Sequence, residues 1–318
     1  MKTEIGSDIN KARQLLCEGE TVAIPTETVY GLAAHGLDAE AIARIFQAKN
    51  RPTFDPLILH IGSIEQLETI AREIPEKAHQ LAREFWPGPL TIVLKKNTVV
   101  PDLATSGMKT VGIRMPRHPM TAQLLQEIDF PLAAPSANPF GYISPTSAEH
   151  VYKQMSGRIP YILDGGTCTV GLESTIIDLS TESPKVLRKG GISVEKIEAL
   201  IGPLEVLEKS SSNPRAPGML ESHYAPKIPL ILGNIPFLAE KNSYKEIRVL
   251  GFKSTYGYDG YALSTSGDLT EAAKNLFSTM RKLDAEKADM ILAELVPDEG
   301  LGKAINDRLK RAAQSVSY

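Results

Sequence analysis

Short runs of apolar residues, many of them β-branched, alternate along the first two thirds of the chain with segments of helical periodicity. Such runs are typical of buried strands. They occur at residues 21–24, 56–61, 90–94, 110–115, 131–134, 161–163, 174–179 and 186–188. Helical patterns occur between Ser7 and Gly19, at residues 39–48, 63–73, 75–84 and 119–128, and after Ser193. Because strands and helices do not alternate strictly, the pattern predicts an α/β fold in which helices pack on a twisted mixed β-sheet.

The pattern changes at residues 208–229, where serine, proline and glycine replace the apolar runs. Such a segment has little to bury and is typical of a linker. Beyond it, predicted strands near Leu230, Val249 and Ile291 alternate with an amphipathic helix from Leu269 to Leu283, which indicates a small Rossmann-like α/β domain. The predicted units are residues 1–207, 208–229 and 230–318.

Basic residues stand at the ends of several predicted elements. Lys49 and Arg51 follow a helix, while Arg114 and Arg188 end strands. A cation at a helix C-terminus is also explained by the helix dipole, so each residue alone has an ordinary structural explanation. Open α/β sheets bind ligands at strand ends, however, and the chain as a whole carries a net charge of −3. Convergence of these cations would therefore favour an anionic ligand.

Hydroxyl and amide side chains crowd two loops, Pro25–Leu32 and residues 135–146. Turn capping explains such residues equally well. A lone histidine in an apolar strand, such as His60, is more often a satisfied core residue than a functional one. From the residues alone, the interpretation stops at an α/β enzyme or binding protein for a phosphorylated, acidic ligand.

Composition narrows the class of protein. The sequence pI of about 6.1 gives no global nucleic-acid-binding footprint. Cys17 and Cys168 form neither a disulfide framework nor a zinc-ligand spacing, so a reducing cytoplasm is the expected compartment. Neither a signal-peptide pattern nor a run of about 18 apolar residues is present, and no membrane association is expected.

Familiar catalytic motifs are also missing from the sequence. It contains no GxxxxGK[ST] phosphate-binding loop, no GxSxG nucleophile elbow and no HExxH metal motif. Any nucleotide site must therefore be built in another way.

A series of motifs in fixed order resembles the YrdC-like threonylcarbamoyl-AMP synthases. The motifs are PTETVYGL at residue 25, KNRP at 49, PLILHI at 56, WPGPLTIVL at 86, VGIRMP at 111, APSAN at 134, SPT at 144, DGG at 164 and GLESTIID at 171. The segments at residues 216–226 and 300–308 are similar to the longer, two-domain members. The resemblance therefore covers most of the chain.

The resemblance implies synthesis of L-threonylcarbamoyl-AMP and pyrophosphate from ATP, L-threonine and bicarbonate. The product would pass to a tRNA threonylcarbamoyl-transferase that modifies the adenosine beside the anticodon, and contact with tRNA itself is possible but not required. Three anionic partners would meet in one cavity, so cations and hydroxyl donors are needed more than a strong base. Catalysis is expected to rest on positioning and electrostatic stabilisation, with Mg²⁺ on the ATP phosphates and no dedicated protein ligands for it.

The same resemblance assigns site residues by position. Those expected to surround threonine are Thr28, His60, Arg114, Ala134 (through its backbone) and Ser174. Those expected to face ATP are Arg51, Asp55, Thr110, Ser136, Ser144, Arg188 and Tyr224. Lys49 and Arg51 are candidate electrostatic stabilisers, Asn138 is expected to support its loop, and no general base is assigned.

Two points go beyond that assignment. Asp55 stands where relatives frequently have asparagine, and because a carboxylate repels phosphate, it is expected to face ribose, water or a metal. The linker, through its Pro-Gly pair and Tyr224, is hypothesised to fold over the nucleotide as a lid that excludes water from a labile mixed anhydride.

Three alternatives stay open at this point. A noncatalytic tRNA- or double-stranded-RNA-binding module would bind without ATP and with steep salt dependence, which the acidic balance disfavours. A carbamoyl-transfer protein of hydrogenase maturation shares the YrdC-like domain but carries zinc-finger cysteines, whereas this chain has two cysteines in all. A regulatory nucleotide-binding protein would release no pyrophosphate.

Overall fold

The computed structural model describes residues 1–207, 216–217 and 224–313 of the 318-residue chain. In the first domain the strands are β1 (Glu4–Gly6), β2 (Val22–Ile24), β3 (Gly31–His35), β4 (Ile58–His60), β5 (Ala71–Arg72), β6 (Leu90–Lys96), β7 (Thr110–Arg114), β8 (Leu132–Ala133), β9 (Tyr161–Leu163), β10 (Thr175–Asp178), β11 (Lys185–Arg188) and β12 (Glu205–Val206). Its helices are α1 (Ile9–Cys17), α2 (Ala39–Lys49), α3 (Glu65–Ile70), α4 (Glu76–Phe85), α5 (Asp102–Thr105), α6 (Pro119–Gln126), α7 (Ala148–Met155) and α8 (Val194–Ile201).

These strands form one sheet of mixed direction, as predicted. Within the described part of the chain it has 12 strands, in the order β1-β9-β2-β3-β8-β4-β7-β6-β10-β11-β12, with β5 paired to β6. Strands β4 and β7 run parallel, whereas β6 and β7 run antiparallel. Helices pack on the sheet around a core that includes Leu32, Ile45, Leu59 and Ile113, all buried. The α/β class with a mixed sheet is therefore confirmed.

Local patterns failed at several places in this sheet, including the short edge strands β1 and β12, which were not predicted. Gly31 and Leu32 were predicted in a loop and residues 33–35 were assigned to no element, but Gly31–His35 forms β3. Its small residues have low β-propensity, and the strand forms because β2 and β8 pair with it on both sides. The helix predicted at residues 63–73 ends at Ile70, because Ala71–Arg72 pairs antiparallel with β6. In both cases, long-range strand pairing overrides the local preference.

The second domain is a parallel α/β unit. Its elements are β13 (Leu230–Leu232), α9 (Ile235–Lys241), β14 (Ile247–Gly251), β15 (Gly260–Ala262), α10 (Leu269–Asp284), β16 (Met290–Ala293) and α11 (Gly302–Ala313). The four strands are all parallel, in the order β13-β16-β14-β15. Helix α10 ends one residue beyond its predicted end. None of the helices in the described ranges is long and apolar enough to cross a membrane.

A continuous apolar cluster joins the two domains. Leu276 and Phe277 of α10 pack with Val29, Ile143 and Leu172 of the first domain, and all are buried. Most of the predicted linker, residues 208–215 and 218–223, lies outside the described residues. The predicted linker and lid at 208–229 can therefore be compared with the structure only at residues 216–217 and from Tyr224 onward.

Candidate active site

Several strands of the first domain end at one edge of the sheet, and their terminal side chains meet there. His60 and Arg114 are paired positions at the ends of parallel strands β4 and β7. Ser174 immediately precedes β10, and Arg188 ends the antiparallel neighbour β11. The loop after β2 brings Thr26 and Thr28 to the same place. The fold therefore gathers side chains that are far apart in sequence.

These residues line one cavity. Its lining comprises Thr26, Thr28, Val29, Gly31, Arg51, Ile58, His60, Arg114, Ala134, Pro135, Ser136, Glu173, Ser174, Arg188, Pro217 and Tyr224. Three arginines and several hydroxyl groups on one wall suit a small ligand with negative charge. All the residues predicted to surround threonine are on it, together with Arg51, Ser136, Arg188 and Tyr224 from the predicted ATP set.

The Arg114 guanidinium is held by a buried carboxylate. Its Nη2 donates to Glu27 Oε1 at 2.7 Å, and the Arg117 amide donates to Glu27 Oε2 at 3.0 Å. Burial raises the pKa of Glu27, but the Arg114 charge and these hydrogen bonds outweigh it, so the pKa is lowered overall. Arg114 thus keeps a fixed orientation at the cavity wall, and its remaining donors suit a carboxylate.

His60 is a neutral imidazole in this site. Burial, reinforced by the Arg114 charge, lowers its pKa to about 3. At neutral pH such a side chain is a weak base and carries no charge. His60 therefore contributes a polar ring beside Arg114 rather than a cation.

Hydroxyl groups complete this end of the cavity. Thr26 Oγ1 lies 2.8 Å from Thr28 Oγ1 and accepts hydrogen bonds from the amides of Thr28 and Val29, both at 3.2 Å. Ser174 Oγ lies 2.7 Å from Thr91 Oγ1 and accepts a hydrogen bond from Arg188 Nη2 at 3.1 Å. These contacts fix the hydroxyls of Thr28 and Ser174 at the cavity wall.

Arg51 is paired with a buried carboxylate. Its Nη2 donates a hydrogen bond to Pro56 O at 3.0 Å. The same nitrogen lies 2.9 Å from Asp55 Oδ2 and forms an ion pair with it, but the angle does not allow a hydrogen bond. Burial raises the pKa of Asp55. Asp55 is fully buried behind Arg51 and does not line the cavity. Its contact in the described residues is therefore with the arginine.

Three other predicted residues lie behind or beside the cavity wall. Thr110 lines a narrow neighbouring slot with Ala216 and Pro217. Ser144 is fully buried, and its Oγ donates to Glu173 Oε1 at 2.6 Å. Lys49 donates to the carbonyls of Ser136 and Asn138, the latter at 2.5 Å. The structure places these side chains as supports of the site.

The position of Lys49 bears on its predicted electrostatic role. Burial lowers its pKa well below the usual value, and the Arg51 charge adds to the effect. A charge on Lys49 is thus disfavoured where the hypothesis needs a permanent cation. Asn138 donates to the carbonyls of Pro139 and Tyr142, both at 2.8 Å, as expected of a residue that supports its loop.

Sequence reasoning missed several site residues. Glu27 and Glu173 lie inside the motifs PTETVYGL and GLESTIID, so their positions were marked, but no role at the site was assigned to either. Arg308, which pairs with Glu173, belongs to the second domain. It ends the segment 300–308 that resembles the two-domain members, but no role at the site was assigned to it. Pro217 was not among the missed residues: it belongs to the Pro-Gly pair of the predicted lid, and its carbonyl accepts a hydrogen bond from Arg188 Nη1 at 3.0 Å.

Fold and site together define a class: a mixed-sheet α/β protein whose cavity gathers arginines and hydroxyls for anionic ligands. Residues 14–190 match the family model described as telomere recombination (Sua5, YciO and YrdC). Residues 192–314 match the C-terminal domain of threonylcarbamoyl-AMP synthase. The chain belongs to the threonylcarbamoyl-AMP synthase family, in its two-domain form.

Similar proteins match over both domains. A threonylcarbamoyl-AMP synthase of Pyrococcus abyssi is 46% identical, over 96% of this chain and 94% of its own length. That of Bacillus subtilis is 42% identical, over 96% and 92%. The crystal structure of P. abyssi Sua5 complexed with L-threonine superimposes with a TM-score of 0.92 at 42% identity, covering 98% of this chain and 97% of that one. These matches favour the synthase over the three alternatives.

Proposed function

We propose that this chain is an L-threonylcarbamoyl-AMP synthase that makes its product and pyrophosphate from ATP, L-threonine and bicarbonate. The observation that carries the proposal is the convergence of Arg51, Arg114 and Arg188 with threonine and serine hydroxyls in one cavity. Relatives that match both domains bear this name, and one of them was crystallised with L-threonine.

Each end of the cavity has a chemical role in this proposal. The Arg114 guanidinium, oriented by Glu27, receives the threonine carboxylate through paired N–H donors. Thr28 and Ser174 supply hydroxyls for the polar groups of threonine, and the backbone of Ala134 lies beside them. Arg51, Arg188 and Ser136 line the same cavity, and in this proposal they contact the nucleotide phosphates and the carbamate.

The reaction then needs two bond-forming steps. The deprotonated threonine amine condenses with bicarbonate: a C–N bond forms, water leaves, and a carbamate anion results. A carbamate oxygen attacks the α-phosphorus of ATP, and pyrophosphate leaves. Fixed arginines stabilise the charge on the transferring group without reorganisation, so positioning and electrostatics supply the catalysis. Because His60 has a pKa of about 3, it is unsuited to act as general base, and none is assigned.

A magnesium ion on the ATP phosphates is part of this proposal. The described residues contain no group of three or more His, Cys, Asp or Glu side chains arranged to hold a metal ion. The wall carboxylates Glu27 and Glu173 are each paired with an arginine. We therefore assign the ion to the nucleotide, where it would neutralise phosphate charge.

The lid remains part of the proposal as well. Pro217 contacts Arg188, and Tyr224 lines the cavity, so two described positions of the predicted linker lie against the site. Deletion of residues 208–318 should abolish turnover and weaken nucleotide affinity. Intact turnover and affinity in the deleted protein would contradict the lid.

The biological setting is also proposed. The product would pass to a tRNA threonylcarbamoyl-transferase, and the enzyme itself would not need to hold tRNA. The scarcity of cysteines continues to suggest a cytoplasmic location.

The deciding experiment is pyrophosphate release from ATP, with threonine and bicarbonate omitted in turn. The proposal expects release only when both are present. Release without either would indicate a nucleotide hydrolase. Binding of ATP with no release would favour a regulatory protein.

A further inference from the structure

Glu173 places a carboxylate in the wall of a cavity proposed to bind anions. It is 6% exposed, and both of its oxygens are occupied. Oε1 accepts a hydrogen bond from Ser144 Oγ at 2.6 Å, and Oε2 accepts one from Arg308 Nε at 3.0 Å. A bare carboxylate here would repel phosphate and carboxylate ligands, so its partners determine whether the cavity can accept them.

Arg308 comes from the second domain and is fully buried at the interface. It lies on α11, 135 positions after Glu173. Its Nη1 donates to Asp307 at 2.8 Å, and its guanidinium lies 5.2 Å from the centre of the Tyr224 ring. Tyr224 and Glu173 both line the cavity. One arginine of the second domain therefore contacts two residues of the site wall.

Burial of the Arg308 charge is unfavourable if its only role is to hold the two domains together. Its Nη2 is buried and finds no hydrogen-bond acceptor among the described residues. An unmet buried donor costs stability, and a well-packed apolar side chain would often serve an interface as well as a buried ion pair does. The charge of Arg308 thus calls for an explanation beyond packing, and Glu173 supplies one.

A second arginine of the same domain contacts Ser144, the other hydrogen-bond partner of Glu173. Arg281 of α10 donates through Nε to Ser144 O at 3.1 Å and through Nη2 to the carbonyl of Ile143. Its Nη2 also donates to Gln154 Oε1 at 2.9 Å. Ser144 is thereby fixed at both its carbonyl and its hydroxyl, so the Glu173 carboxylate has two anchored partners.

We infer that Arg308 is a positioning residue of the active site, which neutralises and orients Glu173 so that the cavity can bind anionic substrates. The inference rests on the proposed function for the identity of those substrates. It assigns the second domain a part in building the site: without Arg308, Glu173 would present an uncompensated negative charge to ATP.

The test is a double-mutant cycle on ATP binding, measured by calorimetry on the full chain. Arg308→Met should weaken ATP binding by about tenfold or more, since removing one partner of a buried charge pair leaves the other uncompensated. In a Glu173→Gln background, Arg308→Met should have no further effect on ATP binding, because the wall carboxylate is gone and Asp307, the other acid that Arg308 contacts, keeps its ion pair with Arg311. Equal weakening in both backgrounds, or none in either, would overturn the inference.

Lys303→Met is the matched control. Lys303 lies on the same helix and pairs with Glu195 of the first domain at 2.6 Å, but this interdomain pair is partly exposed and lies away from the cavity. Its loss should leave ATP affinity unchanged. Weakening by Lys303→Met as large as that by Arg308→Met would show that any interdomain pair has this effect, and would overturn the inference.

Two further outcomes distinguish a folding defect and a wrong proposed function from a wrong inference about Arg308. If Arg308→Met does not fold, the double variant Glu173→Gln/Arg308→Met takes its place. If the double variant folds and binds ATP as tightly as Glu173→Gln does, the inference is supported. If the double variant does not fold, or does not bind ATP, Arg308 serves packing and the inference is overturned. If the unmodified protein binds ATP but shows no threonine-dependent pyrophosphate release, the proposed function fails while the cycle still decides the role of Arg308.

Discussion

Arg114 is the residue whose role the structure specifies most narrowly. It is 4% exposed, paired with Glu27, and placed beside Thr28 and His60. Its guanidinium therefore has one face committed to the protein and another turned to the cavity. This arrangement is suited to a carboxylate ligand of fixed orientation.

Arg114→Ala should raise KM for threonine about tenfold to a hundredfold, because a hydrogen bond to a charged group contributes roughly 1.5–3 kcal/mol. KM for ATP should change far less. Threonine-dependent pyrophosphate release at varied substrate concentrations measures both. Equal losses for the two substrates would show that Arg114 is misassigned. Arg117→Ala is a useful comparison, since its backbone amide rather than its side chain contacts Glu27.

His60 predicts a pH dependence of stability. Because its pKa is about 3 when folded, against about 6.5 in the unfolded chain, the unfolded state binds more protons between these values. The stability it contributes is therefore present at pH 7 and declines as the pH falls below about 6.5. At pH 5 the loss from this one group is about 2 kcal/mol.

The measurement is denaturant unfolding of the unmodified protein and His60→Gln at pH 7 and pH 5. The variant should lose about 2 kcal/mol less between the two pH values. Other titrating groups, including the partly buried His150, cancel in this comparison. Parallel losses in both proteins would contradict the assigned pKa.

At the scale of elements, α2 and the loop at residues 135–146 are held together by one side chain. Lys49, at the end of α2, donates to the carbonyls of Ser136 and Asn138. Ser136 lines the cavity, so this brace fixes part of the site wall. The sequence showed a cation after a helix but not the direction in which its side chain turns.

Lys49→Met should lower the free energy of unfolding by about 1–3 kcal/mol, because two buried carbonyls lose their donor. Urea unfolding measures this. Lys153→Met is the control: Lys153 is exposed and pairs with Glu149 on α7, so its loss should change stability by less than about 0.5 kcal/mol. Unchanged stability of Lys49→Met together with weakened ATP binding would instead support a role at the triphosphate.

Strand pairing shows where local prediction works for this chain. Val22–Ile24 and Ile58–His60 were predicted because β-branched and apolar residues favour a buried strand. Gly31–His35 was not, because its glycine and alanines carry no such preference. It is a strand because its neighbours β2 and β8 supply hydrogen-bond partners on both sides.

At the scale of the whole molecule, the two domains share an apolar cluster. Phe277 is fully buried, and its ring stacks on that of Tyr224 with centroids 5.4 Å apart. Val29 and Leu172, from loops at the active site, belong to the same cluster. Separating the domains would expose this surface, so we expect them to unfold together.

Urea unfolding followed by tryptophan fluorescence and by far-UV circular dichroism should give one coincident transition. The single tryptophan, Trp86, reports on the first domain, while the circular dichroism signal includes the helices of both. Phe277→Ala should lower stability by about 3–5 kcal/mol and shift both signals together. Phe237→Ala, at an exposed position, is the control. Separate transitions would contradict the shared core.

The sequence by itself determined most strands, the α/β class and the motif residues that end up around the cavity, including Thr28, His60 and Arg114. These features depend on apolar periodicity and on residue type at strand ends, both of which are local. Only the tertiary structure decided that Asp55 pairs with Arg51 and Ser144 with Glu173 behind the cavity wall, and that Arg308 meets Glu173 across the domain interface. The direction of a buried side chain is set by the partners that compensate its charge or hydrogen bonds, and here those partners lie up to 135 residues away.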